Sequence, residues 1–173
     1  MYSRLEILID SIYKECSFLM EITKGLSADS DLGQTTDDIK TFRAICFGEQ
    51  NIGEAVVQLG RITQDRLFEM YPSIDWRAIK GMKNHIVHEY LDIDEAAIIS
   101  TAIEDIPQLK DVISEIKKDI AGNRLKKFLF YVEHAREDKT FKIPVCKVAR
   151  DSRPFLEQSA LLRQSAGGWM AAK

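Results

Sequence analysis

Residues 71–90 read YPSIDWRAIKGMKNHIVHEY. Pro72 closes whatever helix precedes it, and Ser73 or Asp75 is placed to cap a new one. On a helix turning about 100° per residue, Trp76, Ile79, Met82, Ile86 and Val87 populate the sides that pack into a bundle. Measured from His88, Arg77 and Gly81 lie within about 20° in azimuth, Asn84 about 40° to one side and His85 about 60° to the other. One stripe therefore reads Arg77, Gly81, Asn84/His85, His88. At its centre is a glycine, which costs a helix roughly 1 kcal/mol relative to alanine and lets another backbone or a ligand come close. Such a stripe is either a functional face or a helix-packing face.

Outward from this segment the chain is helical. Leu5, Leu8, Ile9, Ile12, Cys16, Leu19 and Met20 recur at helical spacing over residues 2–24, with Gly25 as the stop. Thr35 or Thr36 caps a long second helix whose apolar residues run from Ile39, Phe42 and Phe47 to Leu59, and Gly60 marks a possible bend or break. After LDID (91–94) comes a helix through AAIISTAIEDI, and Pro107 opens a kinked continuation or a fifth helix. This is an all-α, antiparallel bundle of four to five helices over residues 1–120. Residues 121–173 form a basic C-terminal extension: RLKKFLFYVEHAREDK is an amphipathic helix, and TFKIPVCKV (140–148) a short strand or extended arm limited by Pro144.

The net charge of −3 hides an asymmetry. Residues 1–120 hold 13 Lys and Arg against 22 Asp and Glu, whereas residues 121–173 hold 11 against 5. An acidic body is a poor electrostatic trap for nucleic acid; the basic extension either docks on an acidic surface or contacts nucleic acid. No apolar run approaches the roughly 18 residues of a membrane span, and the charged N-terminal segment does not read as a signal peptide. Cys16, Cys46 and Cys146 are far apart, which fits a reducing cytoplasm. Two histidines three apart without HExxH are a weak metal signal, so no metal and no cofactor are expected.

The segments IGEA (52–55), YPSIDWRAIKGM (71–82) and HEY (88–90) resemble the HEPN superfamily, specifically the HepT-like toxins encoded beside a minimal nucleotidyltransferase antitoxin. The likeness covers residues 1–118. It implies a HEPN-type bundle and a metal-independent endoribonuclease, the toxin of a type VII-like toxin–antitoxin pair, working as a homodimer whose motif helices meet at a composite cleft. The family pattern, an arginine, a polar residue and then His-x-Tyr, falls on position 83, Asn84, His88 and Tyr90. It implies His88, Asn84 and Lys83 as catalytic, Gly81, Asn84 and His85 at the dimer interface, RNA as substrate, and Tyr90 as the residue to which the antitoxin transfers AMP.

The chemistry agrees with those roles. RNA is cut without metal when its own 2′-OH attacks the adjacent phosphate, which needs an imidazole titrating near neutrality and groups that hold the phosphate charge. The departure is Lys83, where the family has arginine: the charge is kept, but the planar two-bond fork is lost. Arg77 is a possible substitute. It lies about 16 Å along the axis from His88, too far within one chain, but in reach across two crossing motif helices. The alternative is a degenerate HEPN module that only assembles with its nucleotidyltransferase partner or binds nucleotides.

Overall fold

The computed structural model describes residues 4–88 and 94–144, with the helical backbone alone at Asn84, His85, Val87 and His88. Helix α1 spans Arg4–Ile22, and Gly25 with φ of 82° turns the chain away from it. Thr35 caps α2 (Thr36–Thr63) through a reciprocal pair. Its hydroxyl accepts from the Asp38 N–H at 3.1 Å, and the Asp38 carboxylate accepts from the Thr35 N–H at 2.8 Å. Both carboxylates in that first turn favour the positive helix end.

Gly60 does not end α2; the helix runs on to Thr63. The break falls at Gln64 and Asp65, both with positive φ, before the short α3 (Arg66–Met70). Gly60 is instead a point of close approach, since a Cβ there would stand 3.0 Å from the Phe68 ring. Helix α4 (Trp76–His88) follows, capped by Asp75, whose carboxylate accepts from the Ala78 N–H at 2.9 Å.

Asp94 caps α5 (Glu95–Ser100), which passes through a π-helical turn at Thr101–Asp105 into α6 (Ile106–Ala121). The Ile106 N–H reaches back five residues to the Thr101 carbonyl. Pro107 lacks the donor that would close an ordinary turn, so a widened turn relieves the clash and the helix continues rather than stopping.

Neighbouring helices run antiparallel. Leu19 of α1 meets Gly48 of α2, with Glu15 beside Asn51; Asp10 and Tyr13 of α1 meet Lys117 and Lys110 of α6. One apolar core unites Ile9, Ile12, Ile45, Ile52, Leu59, Ile79, Ile99 and Leu109. Helix α7 (Lys126–Glu137) joins it through Leu125, Phe128 and Val132. Residues 138–144 form no strand, contrary to the alternation in TFKIPVCKV. The Ile143 N–H donates to the Gln64 side-chain oxygen at 3.0 Å and the Gln64 amide donates to the Phe141 carbonyl at 2.7 Å, so a glutamine takes the place of a partner strand. Residues 145–173, including the rest of that segment, lie outside the described residues. No helix among the described residues is long and apolar enough to cross a membrane.

Candidate functional site

The motif helix is anchored at its N-terminal end by the residues of YPSIDW. The Trp76 indole N–H donates to the Tyr71 carbonyl at 2.8 Å, and the indole stacks on Phe68 with centroids 4.6 Å apart. The Tyr71 hydroxyl donates to Asp119 of α6 at 2.7 Å. Burial, and then that carboxylate, hold the phenol protonated far above its ordinary range. Lys80 bonds Asp65 at 2.6 Å while its ammonium sits 4.7 Å over the Phe68 ring. Helix α4 therefore enters the bundle in one fixed register.

Midway, the IGEA glycine sets the helix spacing. A Cβ on Gly53 would lie 2.9 Å from the Lys83 Cβ and 3.2 Å from the Ile79 carbonyl oxygen. Only a hydrogen at that position lets α2 and α4 approach so closely. The approach also seats Lys83 against α2, where its ammonium pairs with Glu54, the next IGEA residue. Glu54 accepts a second bond from Gln58 at 3.2 Å. Its carboxyl pKa is lowered, first by the Lys83 bond and then by Gln58. Glu54 thus pairs with Lys83, and Arg43 lines a separate groove.

Lys83 is about 140° around α4 from His88 and does not share its stripe. Gly81 does, with nothing within 4 Å of where its Cβ would be. Arg77 on the same stripe is exposed and forms no ion pair among the described residues. The backbone of α4 carries positions 84, 85 and 88 along this face; the side chains of Asn84, His85 and His88 lie outside the description, as does Tyr90 altogether.

Beside the C-terminal half of α4 is an open groove of about 620 Å³. Phe42, Arg43, Phe47 and Gln50 of α2 line it together with Ile86 and Glu95. The apolar run of α2 misleads here: Phe47 is 63% exposed and Ile39 41%. The signal was available, since Phe47 stands about 200° from Ile45 on the helix.

A second feature escaped the sequence reading. Glu49 is fully buried, and neither carboxyl oxygen has a hydrogen-bond partner among the described residues. Burial, and then the nearby Asp105, push its pKa well above the usual carboxylate range. Asp105, in the π turn, is itself pushed up to about 6 by burial and by Glu104. Glu49 is one helical turn from Ile45 and three residues from Ile52, so its place on the core stripe was readable from spacing.

Comparison with known proteins finds the family of HepT-like ribonucleases over residues 12–116. A protein of Caldanaerobacter subterraneus subsp. tengcongensis named "Putative RNase" is 32% identical over 108 residues, 62% of this chain and 89% of its own length. A "Putative RNase" of Methanocaldococcus jannaschii is 32% identical over 71 residues, 41% of this chain and 55% of that protein. "Probable ribonuclease HepT" of Thermococcus cleftensis is 30% identical over 81 residues, covering 47% and 70%. No solved structure matches.

Proposed function

Because the chain belongs to the HepT-like ribonuclease family, we propose that it is a metal-independent endoribonuclease, the toxin of a type VII-like toxin–antitoxin pair. It acts as a homodimer in which two α4 helices meet near Gly81, bringing the His88 of each protomer to one cleft. The observation that carries this reading is the α4 stripe: a glycine with open space over it, an exposed arginine without an ion pair among the described residues, and the motif positions 84 and 88 on one face.

In the reaction the substrate 2′-OH gives its proton to a neutral His88 imidazole and its oxygen attacks the adjacent phosphorus. The O2′–P bond forms as the P–O5′ bond breaks, and the 5′ oxygen takes a proton from the imidazolium of the second protomer. The products are a 2′,3′-cyclic phosphate and a 5′-hydroxyl. Asn84 hydrogen-bonds the phosphate or orients the imidazole, and Arg77 across the dimer supplies the guanidinium that position 83 lacks. A minimal nucleotidyltransferase antitoxin silences the cleft by transferring AMP from ATP to Tyr90: the phenol oxygen loses its proton and bonds the α-phosphorus as the α–β anhydride breaks and pyrophosphate leaves, adding charge and bulk at the rim.

One observation favours a second reading, a degenerate module that assembles with its nucleotidyltransferase or binds nucleotides without cleaving RNA. The Lys83 ammonium is held by Glu54 within its own chain. Induced expression of the wild type and His88→Ala in a bacterial host separates the two. The ribonuclease reading expects growth arrest with fragmented RNA for the wild type and neither for the variant. Equal growth and intact RNA at equal soluble protein would leave the binding module, whose Tyr90 adenylation is then sought by mass spectrometry with the partner co-expressed.

A further inference from the structure

Helix α7 lies beyond the residues that match the family, and its inner face is already used by Phe128 and Val132. Its outer face exposes the rings of Phe130 and His134, while the half-buried Tyr131 packs partly against the core. Phe130 is 68% exposed. One turn on, the His134 ring lies nearly parallel to it, 5° between planes with centroids 6.4 Å apart. Phe141 meets His134 edge-on at 4.7 Å and lies 6.2 Å from Tyr131 at 23°. The peptide after α7 is held in place by Gln64, so Phe141 is positioned rather than loose.

Cations surround these rings. Lys127 reaches over Tyr131 at 6.0 Å. Lys126, Lys139 and Lys142 are exposed and have no ion-pair partner among the described residues. Two of the nearby carboxylates are occupied: Glu133 by Arg136 at 2.9 Å, and Asp138 by the N–H and hydroxyl of Thr140. Glu137 is left, and Lys and Arg still outnumber Asp and Glu by five to three over residues 126–142.

Exposed π faces beside mobile ammonium groups are what a single strand requires, since bases stack without regard to sequence while phosphates take the cations. The geometry points to a single-stranded RNA platform on this face, where a base stacks on Phe130 and the flanking phosphates lie on Lys126 and Lys142. This deepens, and rests on, the reading of the chain as a ribonuclease: the platform holds substrate away from the cut. Gln64, which anchors the platform, is about 21 Å along α2 from Gln50, which lines the groove beside α4. At roughly 3.4 Å per stacked nucleotide, a strand touching both needs about six nucleotides.

The test uses the full chain carrying His88→Ala, so that RNA is not consumed, with fluorescence anisotropy of a labelled twelve-nucleotide oligoadenylate. Adding Phe130→Ala is expected to raise Kd about fivefold or more, the loss of one stacking site. Adding Lys126→Gln with Lys142→Gln is expected to lower the slope of log K against log salt by about 1.4. Phe18→Ala, which removes an exposed phenylalanine of α1, is expected to change neither. Unchanged Kd for Phe130→Ala, or no binding by the parent, overturns the platform and leaves the aromatic face to a protein partner. Cleavage of total RNA by the wild type is read separately: cleavage with an unaffected Kd sinks the platform alone, and a weakened Kd without cleavage sinks the ribonuclease reading alone.

Discussion

Gly53 and Gly81 are helical glycines with opposite surroundings, and substitution separates their roles. At Gly53 an added methyl meets the Lys83 Cβ and the backbone of Ile79, neither of which retreats cheaply. Gly53→Ala is expected to destabilise the fold by about 1–3 kcal/mol, the usual cost of overpacking, measured by urea denaturation. At Gly81 a methyl meets nothing within 4 Å. Gly81→Ala should stabilise the isolated protomer by roughly 1 kcal/mol, through helix propensity. If two motif helices meet there, the same change weakens the dimer, so a raised melting temperature with a lowered association constant by sedimentation is the expected pair. Glu54→Gln is milder: the Lys83 pair is 30% and 40% exposed, so its loss should cost under about 1 kcal/mol.

At the scale of elements, the contact between α2 and the π turn makes stability depend on pH. Glu49 and Asp105 hold their protons more tightly when folded than when unfolded. Between ordinary carboxylate values and the raised ones the folded state therefore binds more protons, and stability falls as pH rises. For Asp105 this loss runs through a folded-state value of about 6, and for Glu49 it extends well above the usual carboxylate range. The melting temperature is expected to drop from pH 5 to pH 8, and Glu49→Gln, which has no proton to lose there, should flatten the drop. A wild-type melting temperature independent of pH in this window would contradict the buried, unpaired carboxyl.

Elements with strong local chemistry were readable in advance. Thr35 with Asp38 announces the start of α2, Gly25 the end of α1, and Pro72 with Asp75 the entry to α4. What was not readable depends on contacts between distant residues. Gly60 looked like a break because glycine is a weak helix former, yet it continues α2 where Phe68 crowds it. TFKIPVCKV read as a short strand or an extended arm because alternation is local; over its described residues no strand forms, and the Ile143 N–H is claimed by Gln64, some eighty residues away. The helix α4 was legible, but the Lys83 pairing with Glu54 required knowing that α2 and α4 cross at Gly53.

For the whole molecule, an acidic segment over residues 1–120 carries the motif helix α4, and the basic, aromatic helix α7 follows it. That division suits an enzyme that gathers RNA at one place and cuts it at another. The central claim is that His88 moves the protons of an RNA cleavage that needs no metal. Its direct test is incubation of purified wild type and His88→Ala with single-stranded RNA in excess chelator, across pH 5 to 9, with the fragment ends identified by mass spectrometry. Wild-type fragments are expected to end in 2′,3′-cyclic phosphate, at a rate that rises and then falls with pH as one imidazole must be neutral and the other charged, with at least about a hundredfold loss in the variant. Equal cleavage by both proteins, or wild-type cleavage only when a divalent metal is restored, would contradict it.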